Sequence, residues 1–102
     1  MPVAADGMEV ALLKREIGRH LRLARESIGF PIAAQFAREH GIASDKLNHW
    51  EKGKHFPDVL YVLMLWRHYR ITADWIYLGE TAQLPFAVIE RLRASEKNPA
   101  TK

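Results

Sequence analysis

The stretch FAREHGIASDKLNHWEK, residues 36–52, decides the fold. Phe36 lies before Gly41 and Leu47 lies after it, each with further apolar residues at helical spacing. Glycine permits a tight reversal of the chain because it takes positive φ angles without the strain that a larger residue would meet. The stretch therefore predicts two short helices that cross steeply around a small core, the second over residues 44–52.

The second of these helices has a polar face. Its members are neighbours on a helix surface because they lie three, four or seven residues apart. They are Ser44, Asp45, Asn48, His49 and Lys52. A helix fits the major groove of B-DNA, where asparagine can bind adenine through two hydrogen bonds. An ordinary solvated surface is the alternative, and Asp45 favours it slightly because a carboxylate repels phosphate.

Further helices are predicted on both sides of this stretch. Apolar residues recur at helical spacing from Leu13 to Ile28, before glycine and proline end the first helix. Thr72 is expected to cap a short helix that ends at Gly79, because its hydroxyl can accept a hydrogen bond from a backbone N–H in the first turn. The remaining helices are predicted over residues 58–69 and 85–94. No strand pattern occurs, so the predicted fold class is all-α.

The helix over residues 58–69 is apolar almost throughout and needs cover on more than one side. Its inward stripe is predicted to consist of Val59, Val62, Leu63 and Trp66. The other apolar residues then form an exposed patch, which commonly marks a protein contact. The surface predicted for a homodimer combines this patch with the C-terminal helix and consists of Leu60, Tyr61, Met64, Val88 and Leu92. In the alternative, the C-terminal helix folds back over the fourth helix of its own chain.

Composition and charge set broad limits on function. The chain has 102 residues, 48% hydrophobic and 26% charged, which is ordinary for one globular domain. A net charge of +3 favours polyanionic partners without deciding which. Cysteine is absent, which excludes disulfides and cysteine-ligated zinc and makes a cytoplasmic location the expectation. The longest apolar run, Val59 to Trp66, has eight residues, whereas a membrane-spanning helix needs about 20.

Catalytic and metal chemistry finds little support in the sequence. The 5 histidines are His20, His40, His49, His55 and His68. Their spacing matches no metal-ligand pattern, and no serine or threonine lies in a nucleophile motif. The tryptophans, Trp50, Trp66 and Trp75, occupy apolar helical positions, so core packing is predicted over stacking on bases. The sequence therefore predicts neither an enzyme nor a cofactor or metal site.

Several residues between positions 36 and 79 stand in one register. They are Phe36-Ala37, Gly41-Ile42, Leu47, Trp50-Glu51-Lys52-Gly53-Lys54, Pro57 and Ala73-Asp74-Trp75-Ile76-Tyr77-Leu78-Gly79. In this register the chain resembles the Cro and phage-repressor type helix-turn-helix proteins, also called the xenobiotic-response-element family. The resemblance covers about residues 18–79, and the run as a whole is far more specific than any one motif.

The resemblance implies a five-helix domain whose helix-turn-helix runs from about Ile32 to Lys52. Its third helix enters the major groove, usually from each half of a two-fold dimer. The base-reading residues implied by position are Ser44, Asp45, Asn48 and His49. The residues expected at the DNA backbone are Lys46, Lys52 and Lys54. Arg25 matches the arginine that pairs with the glutamate numbered Glu51 here, and a buried structural pair is predicted over an incidental exposed one.

The sequence departs from the family pattern at several positions. Ile32 and the following alanine replace the polar residues that commonly open the second helix, so fewer phosphate contacts are expected there. Ala43 stands where a serine or threonine normally caps the third helix, and Ser44 serves as the cap if the helix begins one residue later. Trp66 and Arg70 occupy positions that are usually small or glycine, so the fourth helix is expected to pack or end differently.

Together these features predict a sequence-specific DNA-binding transcriptional regulator of repressor type, acting as a homodimer on double-stranded DNA without a cofactor. The alternative is an antitoxin-like or other protein-interaction module built on the same domain. The expected organisation is a flexible tail over residues 1–8, a DNA-binding domain over 9–79, a C-terminal helix over 80–94 as a dimerisation element, and a disordered tail over 95–102.

Overall fold

The computed structural model describes residues 7–97, which form six α-helices and no strand. The helices are α1 (Gly7–Ser27), α2 (Ala33–Glu39), α3 (Ser44–Glu51), α4 (Val59–Tyr69), α5 (Ala73–Leu78) and α6 (Phe86–Lys97). The predicted all-α fold class is confirmed. None of these six helices is both long and apolar enough to cross a membrane.

The longest helix, α1, supplies one wall of the core with its C-terminal half. Ile17, Leu21 and Ala24 are buried, and the helix contacts α3, α5 and α6. The centre of the core consists of side chains with almost no exposed surface, from α1 to α5 and the α4–α5 connection. They are Leu21, Phe36, Leu47, Leu65, Ile71 and Ile76.

The N-terminal half of α1 extends beyond this core. Met8 is 74% exposed and Leu12 is 55% exposed. The predicted apolar periodicity begins only at Leu13, whereas α1 begins at Gly7, so residues 7–8 are helical rather than part of the predicted tail. Periodicity detects the buried stripe of a helix, and this half has no such stripe. The rest of the predicted tail, residues 1–6, lies outside the described residues.

The ends of α4 and α5 have identifiable local causes. The Thr72 side chain accepts a hydrogen bond from the backbone N–H of Trp75 at 3.2 Å, which confirms the predicted cap. Arg70 ends α4 with φ 60°, a left-handed conformation that glycine usually takes. Its guanidinium lies 4.7 Å from the ring centre of Trp66, and this cation–π contact offsets part of the backbone strain.

The orientation of α4 differs from the prediction. Tyr61, Val62 and Leu65 are buried, whereas the predicted inward stripe is mostly exposed. The exposed side chains are Val59 (70%), Leu60 (78%), Leu63 (49%) and Trp66 (45%), and we call this surface the α4 apolar face. Because α4 is apolar on every side, hydrophobic periodicity alone cannot decide which side turns inward.

The C-terminal helix, α6, packs on its own chain. Val88 and Leu92 are buried, and the extensive contacts of the helix are with α1 and not with α4. Arg19 of α1 and Glu96 of α6 add an exposed ion pair, with Nη1 and Oε2 3.4 Å apart. The helix continues to Lys97, so residues 95–97 are helical and the predicted boundary of a disordered tail is wrong there. The remainder of that predicted tail, residues 98–102, lies outside the described residues.

Candidate nucleic-acid interface

Two buried side chains and one close backbone contact hold α3 against the core and α1. Leu47 has no exposed surface and Trp50 is 5% exposed. On the α1 side, a Cβ built on Gly18 would lie 2.5 Å from the carbonyl oxygen of Glu51, closer than real Cβ atoms come. Only a glycine therefore allows the backbone of α1 to reach the C-terminal turn of α3.

Arg25 and Glu51, the predicted structural pair, form a two-point ion pair. Arg25 Nε donates to Glu51 Oε2 and Nη2 donates to Oε1, both at 2.8 Å. The two side chains are 5% and 8% exposed, so the pair is buried. Burial by itself would lower the pKa of Arg25, but the hydrogen bonds and the charge of Glu51 outweigh burial and raise it.

The same guanidinium also holds the segment before α2. Arg25 Nη1 donates to the backbone oxygen of Phe30 at 2.7 Å. One side chain of α1 thus fixes both the C-terminal turn of α3 and the chain that leads into α2. This arrangement limits how far α2 and α3 can move relative to α1.

Tyr61 of α4 packs against the buried side of α3. Its ring stacks on Trp50, with ring centres 4.9 Å apart. The hydroxyl is buried and has no hydrogen-bond partner among the described residues. Burial raises the pKa of Tyr61, and the charge of Glu51 raises it further, so the phenol is neutral at any physiological pH.

The N-terminus of α3 settles the register of the polar face. Gly41 takes φ +69° in the turn, and Ala43 occupies the N-cap position. The first intrahelical bond runs from the N–H of Leu47 to the oxygen of Ala43 at 3.2 Å. Ser44 is therefore the first helical residue and not a cap.

The predicted base-reading residues lie on one side of α3 and differ in exposure. Ser44, Asp45 and Asn48 are exposed, whereas His49 is half-buried. The ring of His49 contacts the ring of His55 in the loop after α3, with centres 5.3 Å apart. Oδ1 of Asp45 accepts a hydrogen bond from the backbone N–H of Lys46 at 3.0 Å. The structure therefore exposes three of the four side chains and covers part of the fourth.

The three predicted backbone-contacting lysines do not lie together. Lys52 and Lys54 are exposed at and just beyond the end of α3. Lys46 projects from the other flank of α3, where its Nζ lies 3.2 Å from Oδ2 of Asp58. Both side chains of this pair are more than half exposed, so the pair adds little stability.

The predicted dimer surface is not assembled in the structure. Leu60 is exposed and Met64 is half-buried, but Tyr61, Val88 and Leu92 belong to the core. Three exposed apolar side chains were assigned to the wrong side of α4, namely Val59, Leu63 and Trp66. The only sequence signal for this surface is the uncharged run over the first eight residues of α4, Val59 to Trp66.

The histidines make no metal site in the part of the chain described here, where no group of three or more His, Asp or Glu side chains could hold an ion. His20 is buried, and its Nδ1 lies 2.8 Å from the oxygen of Ile76. His40 connects the end of α2 to α4, because its Nε2 lies 2.6 Å from the hydroxyl of Tyr69. Both are structural contacts.

No family model, curated protein or solved structure matches the chain.

Proposed function

We propose that α2 and α3 form a helix-turn-helix unit and that the protein is a sequence-specific DNA-binding regulator of repressor type. In this proposal α3 enters the major groove of double-stranded DNA. The observation that carries the proposal is the division of α3 into two sides. Leu47 and Trp50 are buried on one side, while Ser44, Asp45 and Asn48 face solvent on the other.

The firm support of α3 favours this function over that of an ordinary solvated helix. A site that reads bases needs side chains held within a fraction of an ångström, which requires a rigid scaffold. The buried pair of Arg25 and Glu51 and the close approach at Gly18 supply such a scaffold.

The chemistry of the exposed side chains suits base edges. The Asn48 amide nitrogen can donate to N7 of adenine while the amide oxygen accepts from the N6 amino group, a two-point contact that other bases do not offer. Ser44 can donate to or accept from any base edge, and Asp45 can accept from the amino group of cytosine. Lys52 and Lys54 are exposed where the DNA backbone would pass the end of α3.

A homodimer is part of the proposal, with the α4 apolar face as its contact surface. Its four members are apolar, and the nearest cations are Arg67 and Arg70 at the C-terminal end of α4, the Arg70 guanidinium lying 4.7 Å from the ring centre of Trp66. A two-fold arrangement that leaves these two arginines at the rim buries the apolar side chains without like-charge repulsion. A dimer presents two copies of α3 to successive major grooves, about 34–36 Å apart along the DNA.

The α4 apolar face also favours a second candidate function, an antitoxin-like protein-interaction module. A different polypeptide that covers this face would bury the exposed apolar side chains as a second copy of the chain would. Copurification of a single stoichiometric partner, together with a lack of DNA binding, supports this second function over the first.

Selection of bound DNA from a random duplex pool tests the proposed function directly. The expected result is an enriched, near-palindromic motif, and the same selection with Asn48→Ala should lose preference at one base position in each half-site. A pool that stays random after several rounds, with a folded protein, would reject sequence-specific binding.

A further inference from the structure

The N-terminal half of α1 lies directly beside the segment that follows α3. A Cβ built on Gly53 would lie 2.9 Å from both Cα and Cγ of Arg15. Gly53 has φ +79° and stands between Lys52 and Lys54 in the sequence. The helical position of Arg15 is therefore in contact with the short segment that carries both lysines.

A second contact fixes Lys14 against the same loop. Its Nζ lies 5.4 Å from the ring centre of Phe56, a cation–π arrangement that holds the ammonium at the surface. Two cations of α1 and two cations after α3 thus form one group, which we call the α1–loop basic cluster. It consists of Lys14, Arg15, Lys52 and Lys54.

The cluster carries net positive charge because the nearby carboxylates are used elsewhere. Glu51 is buried in its pair with Arg25. Glu16 is bound by Arg19, whose hydrogen bond is the main reason that its pKa is lowered. Among the described residues, none of the ion pairs within 4 Å involves a member of the cluster.

We infer that the α1–loop basic cluster binds the phosphate backbone of DNA and that Lys14 and Arg15 extend the contact from the end of α3 onto α1. This inference rests on the proposed function. Phosphates suit a cation cluster that has no ion pair within residues 7–97 and lies beside the end of α3, because they carry the opposite charge and line the groove that α3 would enter. The N-terminal half of α1, which contributes little to the core, thereby acquires a role.

The salt dependence of binding tests this inference. Kd is measured by fluorescence anisotropy between about 50 and about 200 mM salt, on a labelled duplex carrying the selected motif and on one of mixed sequence. Lys14→Gln and Arg15→Gln should each weaken binding to both duplexes and each lower the slope of log Kd against log salt by about 0.9. The matched control is Arg91→Gln on α6, an exposed arginine that should leave the slope unchanged.

Arg15→Lys separates charge from packing, since Cγ of Arg15 lies against Gly53. It should restore the wild-type slope if phosphate binding is the role. Slopes for Lys14→Gln and Arg15→Gln that equal the Arg91→Gln slope would overturn the inference while leaving the proposed function intact. A wild-type protein that binds neither duplex would instead overturn the proposed function.

Discussion

Gly18 of α1 and Glu51 of α3 are so close that a Cβ on the glycine would lie 2.5 Å from the glutamate's carbonyl oxygen. Gly18→Ala should therefore destabilise the protein by about 1–3 kcal/mol, because a backbone atom cannot move aside as a flexible side chain would. Helix propensity alone would make Gly18→Ala stabilising by about 1 kcal/mol, so a loss of stability can be assigned to the clash with Glu51. Urea denaturation measures it.

The control for this prediction is Gly7→Ala, in the first turn of α1. A Cβ at Gly7 meets nothing within 4 Å, so this variant should be neutral or slightly more stable. Gly18→Ala should also weaken DNA binding, since it displaces the turn that carries Lys52. Equal stability of the two variants would show that the helices do not approach as closely as described.

Because Arg25 and Glu51 form a buried ion pair, the free energy of unfolding should depend strongly on keeping both charges. Glu51→Ala should cost about 3–5 kcal/mol, because it leaves the guanidinium of Arg25 buried without its counter-ion. The double variant Arg25→Met/Glu51→Leu should recover most of this loss, since no charge then stays buried. Denaturation of Arg25→Met, Glu51→Leu and the double variant gives the coupling energy, and strictly additive losses would show that the pair is not coupled.

Removal of the hydroxyl should have opposite effects on stability at Tyr61 and at Tyr69, because only the Tyr69 hydroxyl has a hydrogen-bond partner among the described residues. Tyr61→Phe should stabilise the protein by about 1–2 kcal/mol, because the buried hydroxyl has no partner among the described residues and its loss removes a desolvation cost. Tyr69→Phe should destabilise it by about 1 kcal/mol, because it removes the 2.6 Å hydrogen bond with His40. Thermal or urea unfolding measures both, and a loss of stability in Tyr61→Phe would contradict the assignment of an unpaired hydroxyl.

The helices were largely predictable because each has buried residues at helical spacing or a local stop signal. Thr72, Gly41 and Gly79 act within a few residues of the chain, so their effects can be inferred from the sequence. The N-terminal half of α1 escaped prediction for the opposite reason. Its exposed residues, such as Met8, contribute to no core and leave no stripe in the sequence.

The inward side of α4 could not be predicted from periodicity. A helix with apolar residues all round satisfies several stripes equally well, and tertiary partners make the choice. Tyr61 turns inward because its ring stacks on Trp50, which Val59 could not do. The α1–loop basic cluster was not predicted for a similar reason, because only the fold brings Arg15 to Gly53.

Asn48 and Lys54 should respond differently to removal if α3 reads bases. Asn48→Ala should relax preference at one base position and cost about 1–3 kcal/mol on the preferred site only. Lys54→Ala should weaken all sites alike and flatten the salt dependence by about 0.9 in slope. Both side chains are exposed, so neither change should alter the free energy of unfolding much. Equal loss on every sequence for both variants would place Asn48 outside base reading.

The α4 apolar face should control self-association. Leu60→Ser and Leu63→Ser should shift the protein toward monomer in sedimentation equilibrium, because each removes an exposed leucine from an apolar surface that a two-fold partner would bury. The control is Phe86→Ser on α6, which removes a larger apolar side chain that is 75% exposed on another element. Trp66 offers a second readout, since it is 45% exposed while Trp50 and Trp75 are buried. Its fluorescence should shift to the blue as protein concentration rises, and Trp66→Phe should abolish that shift. A wild-type protein that stays monomeric at high micromolar concentration, with a concentration-independent spectrum, would exclude this surface as a dimer contact.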